Sequence, residues 1–458
     1  MKKYIVIVDG FSTAQYLSYI FKGNNIPRIH ILSSHNVPPK FLEQYKIHKS
    51  SYDICIEYDG NMENLRKELQ KYNIGHIIPG SETGVIIAND LANYFNLATA
   101  NDLELGEARR DKFLMHEALK KKNVAAMKHC ISDNLDEILK WTEQHGQYTV
   151  VLKPPASAAT EDVHFCHSAE EIKKAFESIM GKTNLLGILN EKVLVQEFLS
   201  GEECIANVVV RDGHIFITDV WKSNKINHKD TVLYDFQELV SHHDPLFKVL
   251  FDYTALVLDA LGIQHGAAHL EIMLTQNGPV LIEIGARLAG GVDPSALTAA
   301  LGYNPVSMLA ESMMNPQGFI NMTKQPRLEA LNQLYMVYLI SDKTGKVNTP
   351  FDTNVFEQLP GFHGINFSLK PGDMLHETIT LFDSPGSIFL IAEDQSILLE
   401  SYDRIREIEK TFYANALEIE TTKKEEVSPF SMFNQNKTHI PDAKQKLEAE
   451  QSLTRQYG

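Results

Sequence analysis

The sequence predicts a multidomain protein in which α/β architecture is followed by a smaller α+β region. The first observation is the length of 458 residues, which is too long for one core when domains average about 150 residues. The second is that apolar strand patterns alternate with helical patterns in the N-terminal region, as in βαβ units on a parallel sheet. The third is a change at Arg327 to short strands separated by turns, which predicts a small α+β domain.

The N-terminal region is predicted to form the parallel sheet. Strand patterns cover residues 4–8, 28–32, 54–58 and 76–79. Ligands on such sheets bind beyond the carboxyl ends of the strands, so residues 9–12 and 79–84 are candidate binding loops. Glu82 stands at a predicted helix start, where a carboxylate interacts favourably with the helix dipole. This structural role and the binding of a substrate ammonium both remain open.

The stretch 269–291 contains the strongest candidate site. Glu271 and Glu283 each lie in a short apolar run, and turn residues at 276–279 separate them. Two strands joined by this turn would bring both carboxylates to one end of a sheet. Mg²⁺ in nucleotide sites is typically held by one or two carboxylates together with phosphate oxygens. Solvated surface charges are the ordinary alternative, but the apolar surroundings favour a metal, because a carboxylate there needs a cation or a donor.

Arg287 and Lys153 are candidate anion-binding side chains. Arg287 closely follows the second acid and can hold a phosphoryl or carboxylate group with a bidentate fork. Lys153 lies in an apolar strand at residues 150–154, so its charge must be met by water or an anion. Small residues at 155–163 would let backbone N–H groups approach phosphates, although the loop alone does not exclude a flexible connection. The polar, basic stretch 221–235 is predicted to be a loop over a site, with a plain solvated loop as the alternative.

Composition and charge exclude several classes of function. The net charge of −16 argues against a nucleic-acid or membrane-surface partner, since both are polyanions. The four cysteines are scattered without a CxxC pair, which argues against a disulfide framework or a thiolate metal site. No stretch approaches the roughly 20 apolar residues of a membrane helix. The protein is therefore expected in the cytoplasm. Residues 416–458 are predicted to be a polar, mobile tail or a segment that becomes ordered only on a partner.

Five motifs in order resemble the ATP-grasp superfamily of carboxylate–amine ligases, closest to its L-amino-acid ligase (dipeptide-forming) branch. They are Arg110-Asp111-Lys112, Lys153-Pro154, the run from Gln196 to Glu203, Glu271, and Glu283 with Arg287. The resemblance extends from residue 3 to about 409. It implies an ATP-grasp fold with an N-terminal Rossmann-like (preATP-grasp) parallel-sheet domain and a small C-terminal α+β domain. The predicted boundaries are 1–112, 113–326 (small lid subdomain about 118–199, large subdomain about 200–326), 327–415 and the tail 416–458.

The resemblance also implies the roles of individual residues. Residues that would contact ATP are Lys112 and Lys153 at the phosphates, Ser157 and Ala158 in the loop 157–160 over them, Gln196, Glu197 and Leu199 at the adenine, and Glu203 at the ribose. Glu271 and Glu283 would bind Mg²⁺, with Mn²⁺ as an alternative. Arg287 would act on the transferring phosphoryl group. Substrate contacts would come from Glu82, His269, Arg287 and Gly290, although His269 could instead be a hydrogen-bonded structural histidine.

Three positions depart from the family's usual pattern. Gly285 stands where a metal-binding Asn is usual, and Ala159 and Asp162 stand where the loop usually carries glycines. Water can replace an Asn ligand on Mg²⁺. Ala159 narrows the backbone freedom of the loop, and Asp162 would bring an anion near the phosphates.

The function predicted from these observations is an ADP-forming ligase for small-molecule substrates. A carboxylate attacks the γ-phosphate of ATP to give an acyl phosphate, and an amine then displaces phosphate to form an amide, with dipeptides as the expected products. One alternative is a ligase that joins an amino acid to a non-amino-acid partner in secondary metabolism. Another is a catalytically weak ATP-binding protein with a regulatory or scaffold role. A homodimer is compatible with the sequence.

Overall fold

The computed structural model describes residues 2–33, 37, 39–146, 148–157, 162–184, 187–228, 231–325 and 330–418. It contains two compact units. The first combines Met1–Lys222 with Leu239–Leu331, and the second combines Ser223–Glu238 with the chain from Asn332 onward. The candidate site residues within the described ranges all lie in the first unit. Ala158, Ala159 and the tail beyond residue 418 lie outside those ranges, and the finer four-part division stays a prediction.

The first unit begins with a parallel sheet, in the strand order β3-β2-β1-β4. Its elements are β1 (Tyr4–Val8), α1 (Gln15–Gly23), β2 (Arg28–Leu32), α2 (Pro39–His48), β3 (Ile54–Glu57), α3 (Met62–Leu69), β4 (Ile74–Pro79) and α4 (Val85–Tyr94). The apolar residues of β1 and β2 are almost completely buried, as expected for central parallel strands. The predicted α/β sheet is confirmed, and the loops that follow β1 and β4 are neighbours at its carboxyl edge.

A small antiparallel sheet follows, in the strand order β5-β8-β6-β7. Its elements are α5 (Lys112–Lys121), β5 (His129–Ser132), α6 (Leu135–His145), β6 (Val150–Lys153), β7 (His164–Cys166), α7 (Ala169–Ile179) and β8 (Val193–Glu197). Alternate apolar residues of the strands pack against α6 and α7. The opposite face of this sheet therefore carries the remaining side chains.

The rest of the first unit is built on a second antiparallel sheet, which includes the order β13-β12-β9-β10. The chain here forms β9 (Glu202–Arg211), β10 (His214–His228), β11 (Thr231–Leu239), α8 (Pro245–Ala260), β12 (Gly266–Thr275), β13 (Gly278–Gly285), α9 (Pro294–Leu301), α10 (Pro305–Met314) and α11 (Pro316–Thr323). Of these, the later part of β10 and nearly all of β11 belong to the second unit. Helix α8 packs its apolar face on these strands and forms the largest core of the unit.

The second unit contains the later part of β10 and nearly all of β11. Its other elements are β14 (Gln333–Tyr338), β15 (Gly345–Val347), α12 (Asn354–Glu357), β16 (Phe362–Phe367), β17 (Met374–Leu375), β18 (Gly386–Ala392), α13 (Gln395–Phe412) and β19 (Leu417–Glu418). Strands β11, β14, β18 and β16 are neighbours in that order, and β15 lies between β17 and β19. Among the described residues, no helix combines the length and apolar character that crossing a bilayer requires.

One local prediction was wrong. The stretch 221–235, expected as a loop, instead forms the end of β10 and the start of β11. Its residues alternate between buried and more exposed positions, with Trp221, Ser223, Leu233 and Asp235 buried. That two-residue period is the signature of a strand, and Lys222, one of the basic side chains that suggested a loop, lies between buried neighbours at a more exposed position. Residues 229 and 230 lie outside the described part.

Candidate active site

The hairpin of β12 and β13 places the two predicted metal-binding acids opposite each other. Glu271 and Glu283 are register partners on these antiparallel strands, so their side chains emerge on the same face of the sheet. Their side chains are 25% and 28% exposed. The register shifts directly after this pair, and such bulges often aim side chains at functional sites. The two carboxylates are therefore neighbours, as the turn signal predicted.

Helix α5 brings Lys112 to these acids. Asp111 caps the helix, because its carboxylate accepts hydrogen bonds from backbone N–H groups of the first turn. The Lys112 Nζ atom lies 2.9 Å from Glu283 Oε2 and 3.2 Å from the Ser157 carbonyl oxygen. The Lys112 backbone N–H also donates to the Pro155 carbonyl at 2.9 Å. Lys112 thus connects the start of the small-residue loop to the hairpin.

Lys153 at the end of β6 is the second cation beside the hairpin. It is 5% exposed and forms no ion pair with the residues that the structure describes. Burial, reinforced by the charge of Lys112, lowers the pKa of Lys153 to about 8, although Glu283 and Glu271 partly oppose this. Burial alone would raise the pKa of Glu283, but the two lysines outweigh it and hold that pKa well below its usual range. Two buried ammonium groups this close together suit an anion between them.

Glu82, Arg110 and Arg287 form a second group of charges. Glu82 lies at the start of the turn after β4, in the helix-start position that the sequence predicted. Arg110 Nη1 donates to Glu82 Oε1 at 2.5 Å, and Arg287 Nε donates to Glu82 Oε2 at 3.0 Å. Burial favours the neutral acid, but the charges of Arg287 and Arg110 lower the pKa of Glu82 overall. Glu82 therefore fixes the guanidinium of Arg287, the residue predicted to act on the phosphoryl group.

Gly285 leaves room for this group of charges. A Cβ atom at position 285 would lie 2.9 Å from Arg287 Cζ and 2.9 Å from Glu82 Oε2. Contacts that short do not occur in folded proteins without a shift of one partner. A side chain at position 285 would therefore require the ends of the Glu82 and Arg287 side chains to shift.

Gln196 and Lys153 face the same side of the small antiparallel sheet, opposite α6 and α7. Gln196 is 1% exposed, and neither atom of its side-chain amide has a hydrogen-bond partner among the described residues. A buried, unpaired amide costs free energy. This one would be satisfied by a ligand that both donates and accepts, as the edge of an adenine does.

The other predicted nucleotide contacts lie along the same region. Glu197 exchanges hydrogen bonds with the Lys128 backbone through its own N–H and its carboxylate. Leu199 lies in the partly buried connection after β8, Glu203 is buried in β9, and Ser157 is buried in the loop after β6. The roles of these residues stay predictions.

The backbone conformation at position 162 explains why Asp162 can replace the family's usual glycine. Its φ angle is 52°, in the left-handed region where glycine is favoured and where aspartate is one of the better-tolerated substitutes. The Asp162 carboxylate lies 3.8 Å from His164 Nε2. The family's preference for glycine at this position therefore reflects backbone geometry. His164 faces the Asp162 carboxylate, whose negative charge near the phosphates was the concern raised by the sequence.

The loop after β1 also contacts the candidate site. Asp9 accepts a hydrogen bond from the Thr83 hydroxyl, which joins the two candidate binding loops. Ser12 Oγ accepts the Gly291 N–H at 3.1 Å. Gly290, a predicted substrate contact, is exposed, and a Cβ there would touch only Ser12 Oγ, at 3.6 Å. The segment after Arg287 is therefore held against the N-terminal sheet with Gly290 open to ligands.

Sequence reasoning gave no role to Arg110, Asn207 or Asp219. Arg110 belongs to a motif that was noticed, but its partner Glu82 is remote in sequence. Asn207 and Asp219 are polar residues in the middle of the apolar strands β9 and β10, which was an available signal. His269 Nδ1 lies 2.8 Å from Asn207 Oδ1.

The donor set fits a magnesium nucleotide. Among the described residues, no group of three or more histidine, cysteine and acidic side chains could hold a metal alone. A metal on Glu271 and Glu283 would therefore need further oxygens, which phosphates supply in nucleotide sites. Lys153, whose charge Glu283 and Glu271 compensate only in part, and the unpaired Gln196 amide fit the phosphates and base of the same ligand.

Comparison with known proteins identifies the family of this chain. A model of the ATP-grasp domain matches residues 146–295. Dapdiamide A synthase of Enterobacter agglomerans is 37% identical over 413 residues, which cover 90% of this chain and 97% of that protein. The L-arginine-specific L-amino acid ligase of Bacillus subtilis is 21% identical over 78% of this chain and 84% of its own length.

Solved structures show the same fold. The L-amino acid ligase from Bacillus licheniformis superposes with a TM-score of 0.69 over 89% of this chain and 97% of that chain, at 14% identity. The predicted fold class and family are confirmed. With a relative of 37% identity along nearly its whole length, the chain belongs to the ATP-grasp family of ATP-dependent, ADP-forming carboxylate–amine ligases.

Proposed function

We propose that this ligase joins the carboxylate of one amino acid to the amino group of a second, forming a dipeptide or a closely related amide. Two relatives support amino acids as substrates, since one is named a dapdiamide A synthase and the other an L-arginine-specific L-amino acid ligase. The observation that carries the proposal is the gathering of cations around the site acids. Arg110, Lys112, Lys153 and Arg287 all lie beside Glu82 or the Glu271–Glu283 pair.

The first half-reaction activates the carboxylate. A carboxylate oxygen forms the new bond to the γ-phosphorus of ATP while the bond to the β–γ bridging oxygen breaks, which gives an acyl phosphate and ADP. Phosphoryl transfer depends mainly on positioning and on stabilising spread negative charge. Lys112 and Lys153 would hold the phosphates, and Arg287 would stabilise the transferring phosphoryl group.

Glu271 and Glu283 would hold Mg²⁺, with Mn²⁺ kept as the predicted alternative. When bound, the metal would neutralise charge on the phosphate oxygens. Gln196 would pair with the adenine edge, and Glu203 would bind the ribose hydroxyls. The unpaired, buried amide of Gln196 supports this placement of the base.

The second half-reaction forms the amide. The amine nitrogen attacks the acyl carbon, and phosphate leaves with the electron pair of the broken C–O bond. Arg287, held by Glu82, would balance the charge of the tetrahedral intermediate. Each oxygen of Glu82 already receives one arginine, but a carboxylate has about four acceptor positions. Glu82 could therefore also bind a substrate ammonium, and Gly290 would line the substrate pocket.

The test is a substrate matrix with the full-length protein, ATP and Mg²⁺. Pairs of amino acids, and single amino acids with other acids or amines, are incubated. ADP and phosphate are measured, and new amides are identified by mass spectrometry. ADP release should require both substrates and should equal the amount of amide formed. Phosphate release that never depends on an amine would contradict the proposal, and amides containing only one amino acid would favour the secondary-metabolism alternative.

Glu283→Gln distinguishes the ligase from a scaffold. Amide formation should fall by about 10²–10³-fold, as for other lost electrostatic contacts in active sites. Glu407→Gln is the matched control, because Glu407 is 70% exposed on α13 and its loss should leave activity unchanged. Full amide formation by Glu283→Gln would contradict the metal role. A cytoplasmic location and a homodimer remain predictions of the sequence.

A further inference from the structure

Two adjacent arginines precede α5, and they differ in how many of their side-chain nitrogens are used. Arg109 donates from all three. The acceptors of its Nε, Nη1 and Nη2 atoms are the Leu261 carbonyl at 2.9 Å, Asn89 Oδ1 at 2.8 Å and the Asp102 carbonyl at 2.6 Å. Arg110 donates only from Nη1, to Glu82 Oε1. Its Nε and Nη2 atoms have no acceptor among the residues that the structure describes.

The two unused nitrogens of Arg110 are open to a ligand. The residue is 9% exposed, and both atoms keep contact with solvent, unlike the Nε atoms of Arg28 and Arg66, which are buried without a partner. The Nε and Nη2 hydrogens lie on one edge of the planar guanidinium. Such an edge matches the two oxygens of a carboxylate in a bidentate pair. Arg110 therefore presents a complete carboxylate-binding fork.

The backbone around Arg110 holds this fork in place. The N–H groups of Arg110 and Asp111 both donate to the Glu107 carbonyl at 2.9 Å, and Asp111 also caps α5. The ion-pair partner, Glu82, follows β4 at the carboxyl edge of the parallel sheet, where ligands of such sheets bind. Because the fork is fixed in advance, a ligand loses less free energy in ordering it.

The charges at Glu82 leave one guanidinium without a counter-ion of its own. Arg110 and Arg287 both pair with Glu82, so a single carboxylate faces two positive charges. Buried charge that is not compensated is costly to the fold. A carboxylate on the open fork of Arg110 would supply the second negative charge, and it would leave Glu82 to hold Arg287.

We propose that Arg110 binds the free carboxylate of the amino acid that supplies the amine. This inference rests on the proposed ligase function and deepens it by naming the substrate class of the amine. The reacting carboxylate must reach the γ-phosphate beside Lys112 and Lys153, and it ceases to be a carboxylate when the acyl phosphate forms. The carboxylate of the amine keeps its charge through both half-reactions, which suits a guanidinium that is always protonated.

The first experiment compares an amine with and without its carboxylate. The probes are the amino acid that acts as the best amine in the substrate matrix and the carboxamide of that same amino acid. The unmodified enzyme should favour the amino acid in kcat/KM by about 10–100-fold, the value of hydrogen bonds between charged groups. Arg110→Gln should lower this ratio by about tenfold or more. An unchanged ratio would overturn the inference.

Hydroxylamine shows which of the two carboxylates Arg110 holds. It carries no carboxylate and traps the acyl phosphate as a hydroxamate, so it reports on activation of the first substrate. Arg110→Gln should lower kcat/KM for the amino acid by about tenfold more than it lowers hydroxamate formation. Equal losses would place Arg110 at the reacting carboxylate or at the Arg287 guanidinium, and would overturn the assignment.

Calorimetry measures the same contact without turnover. With ADP and Mg²⁺ present, the amino acid should bind the unmodified enzyme about tenfold or more tightly than its carboxamide does, and Arg110→Gln should remove this difference. If no amino acid acts as an amine in the substrate matrix, the proposed function fails before this measurement. If the matrix succeeds but the difference is absent, or survives in Arg110→Gln, this inference alone is overturned.

Two further variants control for general damage to the site. Arg110→Lys keeps the charge and loses the fork, so its preference for the amino acid should lie between those of the unmodified enzyme and Arg110→Gln. Arg66→Gln is the matched control, because Arg66 also pairs with a carboxylate, that of Asp90 at 2.7 Å. Its ratio should equal that of the unmodified enzyme. A loss of preference in Arg66→Gln as large as in Arg110→Gln would overturn the assignment.

Discussion

The two units each bury a cluster of charges, and the clusters differ in how completely those charges are paired. In the second unit, Arg406 donates to Asp235, to Glu409 and, at 2.9 Å, to the Tyr338 carbonyl. Tyr402 adds a hydrogen bond to Asp235 at 2.6 Å. These residues, named here the Arg406 cluster, satisfy one another with the protein's own groups.

The cluster of the first unit is not self-sufficient. Its members, named here the site cluster, are Glu82, Arg110, Lys112, Lys153, Glu271, Glu283 and Arg287. Lys153 forms no ion pair with a described residue, and its pKa is lowered. Charges buried without full compensation are costly to the fold, and they are common where a ligand completes the site. The comparison teaches that pairing, rather than burial alone, distinguishes a structural ion cluster from a functional one.

Lys153→Met is expected to have the largest effect among the variants that test the difference between the site cluster and the Arg406 cluster. Amide formation should fall by about 10²–10³-fold, because a donor to the phosphates is lost. The free energy of unfolding should be unchanged or higher, because an unpaired buried ammonium is removed. Steady-state kinetics and urea unfolding measure the two effects. Lys174→Met on α7 is the control, because it removes a 55% exposed side chain and should change neither amide formation nor the free energy of unfolding. A marked loss of stability in Lys153→Met would show that the fold itself compensates the Lys153 charge.

Arg406→Met should have the opposite profile. The free energy of unfolding should fall by about 3–5 kcal/mol, because two buried carboxylates lose their cation. Urea denaturation measures this, with hydrogen exchange on α13 to locate the change in the second unit. Lys410→Met provides the control, since that side chain is 65% exposed and its ion pair should contribute less than about 1 kcal/mol. Equal effects of the two substitutions would remove the distinction between the clusters.

Gly285→Asn tests how the site cluster responds to a side chain placed against Glu82 and Arg287. Restoring the family's usual residue should lower amide formation by about tenfold or more, because misplacing a catalytic group is costly. The free energy of unfolding should change by less than about 1 kcal/mol, since the displaced groups are the flexible ends of Glu82 and Arg287. Kinetics and thermal unfolding measure both. Faster amide formation would mean that the missing metal ligand matters more than the arginine pair.

The smallest expected effect is a difference in acid sensitivity between the units. Burial lowers the pKa of His30 to about 3, of His116 to about 3 and of His76 to about 4. In the unfolded chain histidine titrates near about 6.5, so below that pH the unfolded state binds more protons. The free energy of unfolding of the first unit should therefore fall as the pH drops from about 6.5 toward 4.

Hydrogen exchange corrected for intrinsic rates would measure this difference. In the second unit, His363 and His376 are exposed. His30→Gln should reduce the acid sensitivity of the first unit. A second unit that loses protection first on acidification would contradict the prediction.

The parts of the site that are local in sequence were predictable. The hairpin of β12 and β13 follows from two apolar runs and a turn signal, and strand pairing then necessarily opposes Glu271 and Glu283. The Asp111 cap and Lys112 are likewise neighbours along the chain. The predicted ligase function is confirmed by the match to the ATP-grasp domain and by a relative of 37% identity.

The contacts that were missed join distant positions. Glu82 is 28 residues from Arg110 and 205 from Arg287, and no periodic pattern links such positions. The steric role of Gly285 exists only after those side chains have met. The stretch 221–235 was misread because its basic residues resemble a solvated loop, whereas alternate burial on a sheet decides its structure.

Lys112 is attached by its backbone to Pro155, by its ammonium to Ser157, and by the same ammonium to Glu283. A shift of Ser157 is therefore transmitted through Lys112 to Glu283 on the hairpin of β12 and β13. Under the roles proposed for these residues, ATP binding and metal binding are mechanically coupled. Kinetic studies should accordingly look for interdependent apparent affinities of ATP and the divalent ion.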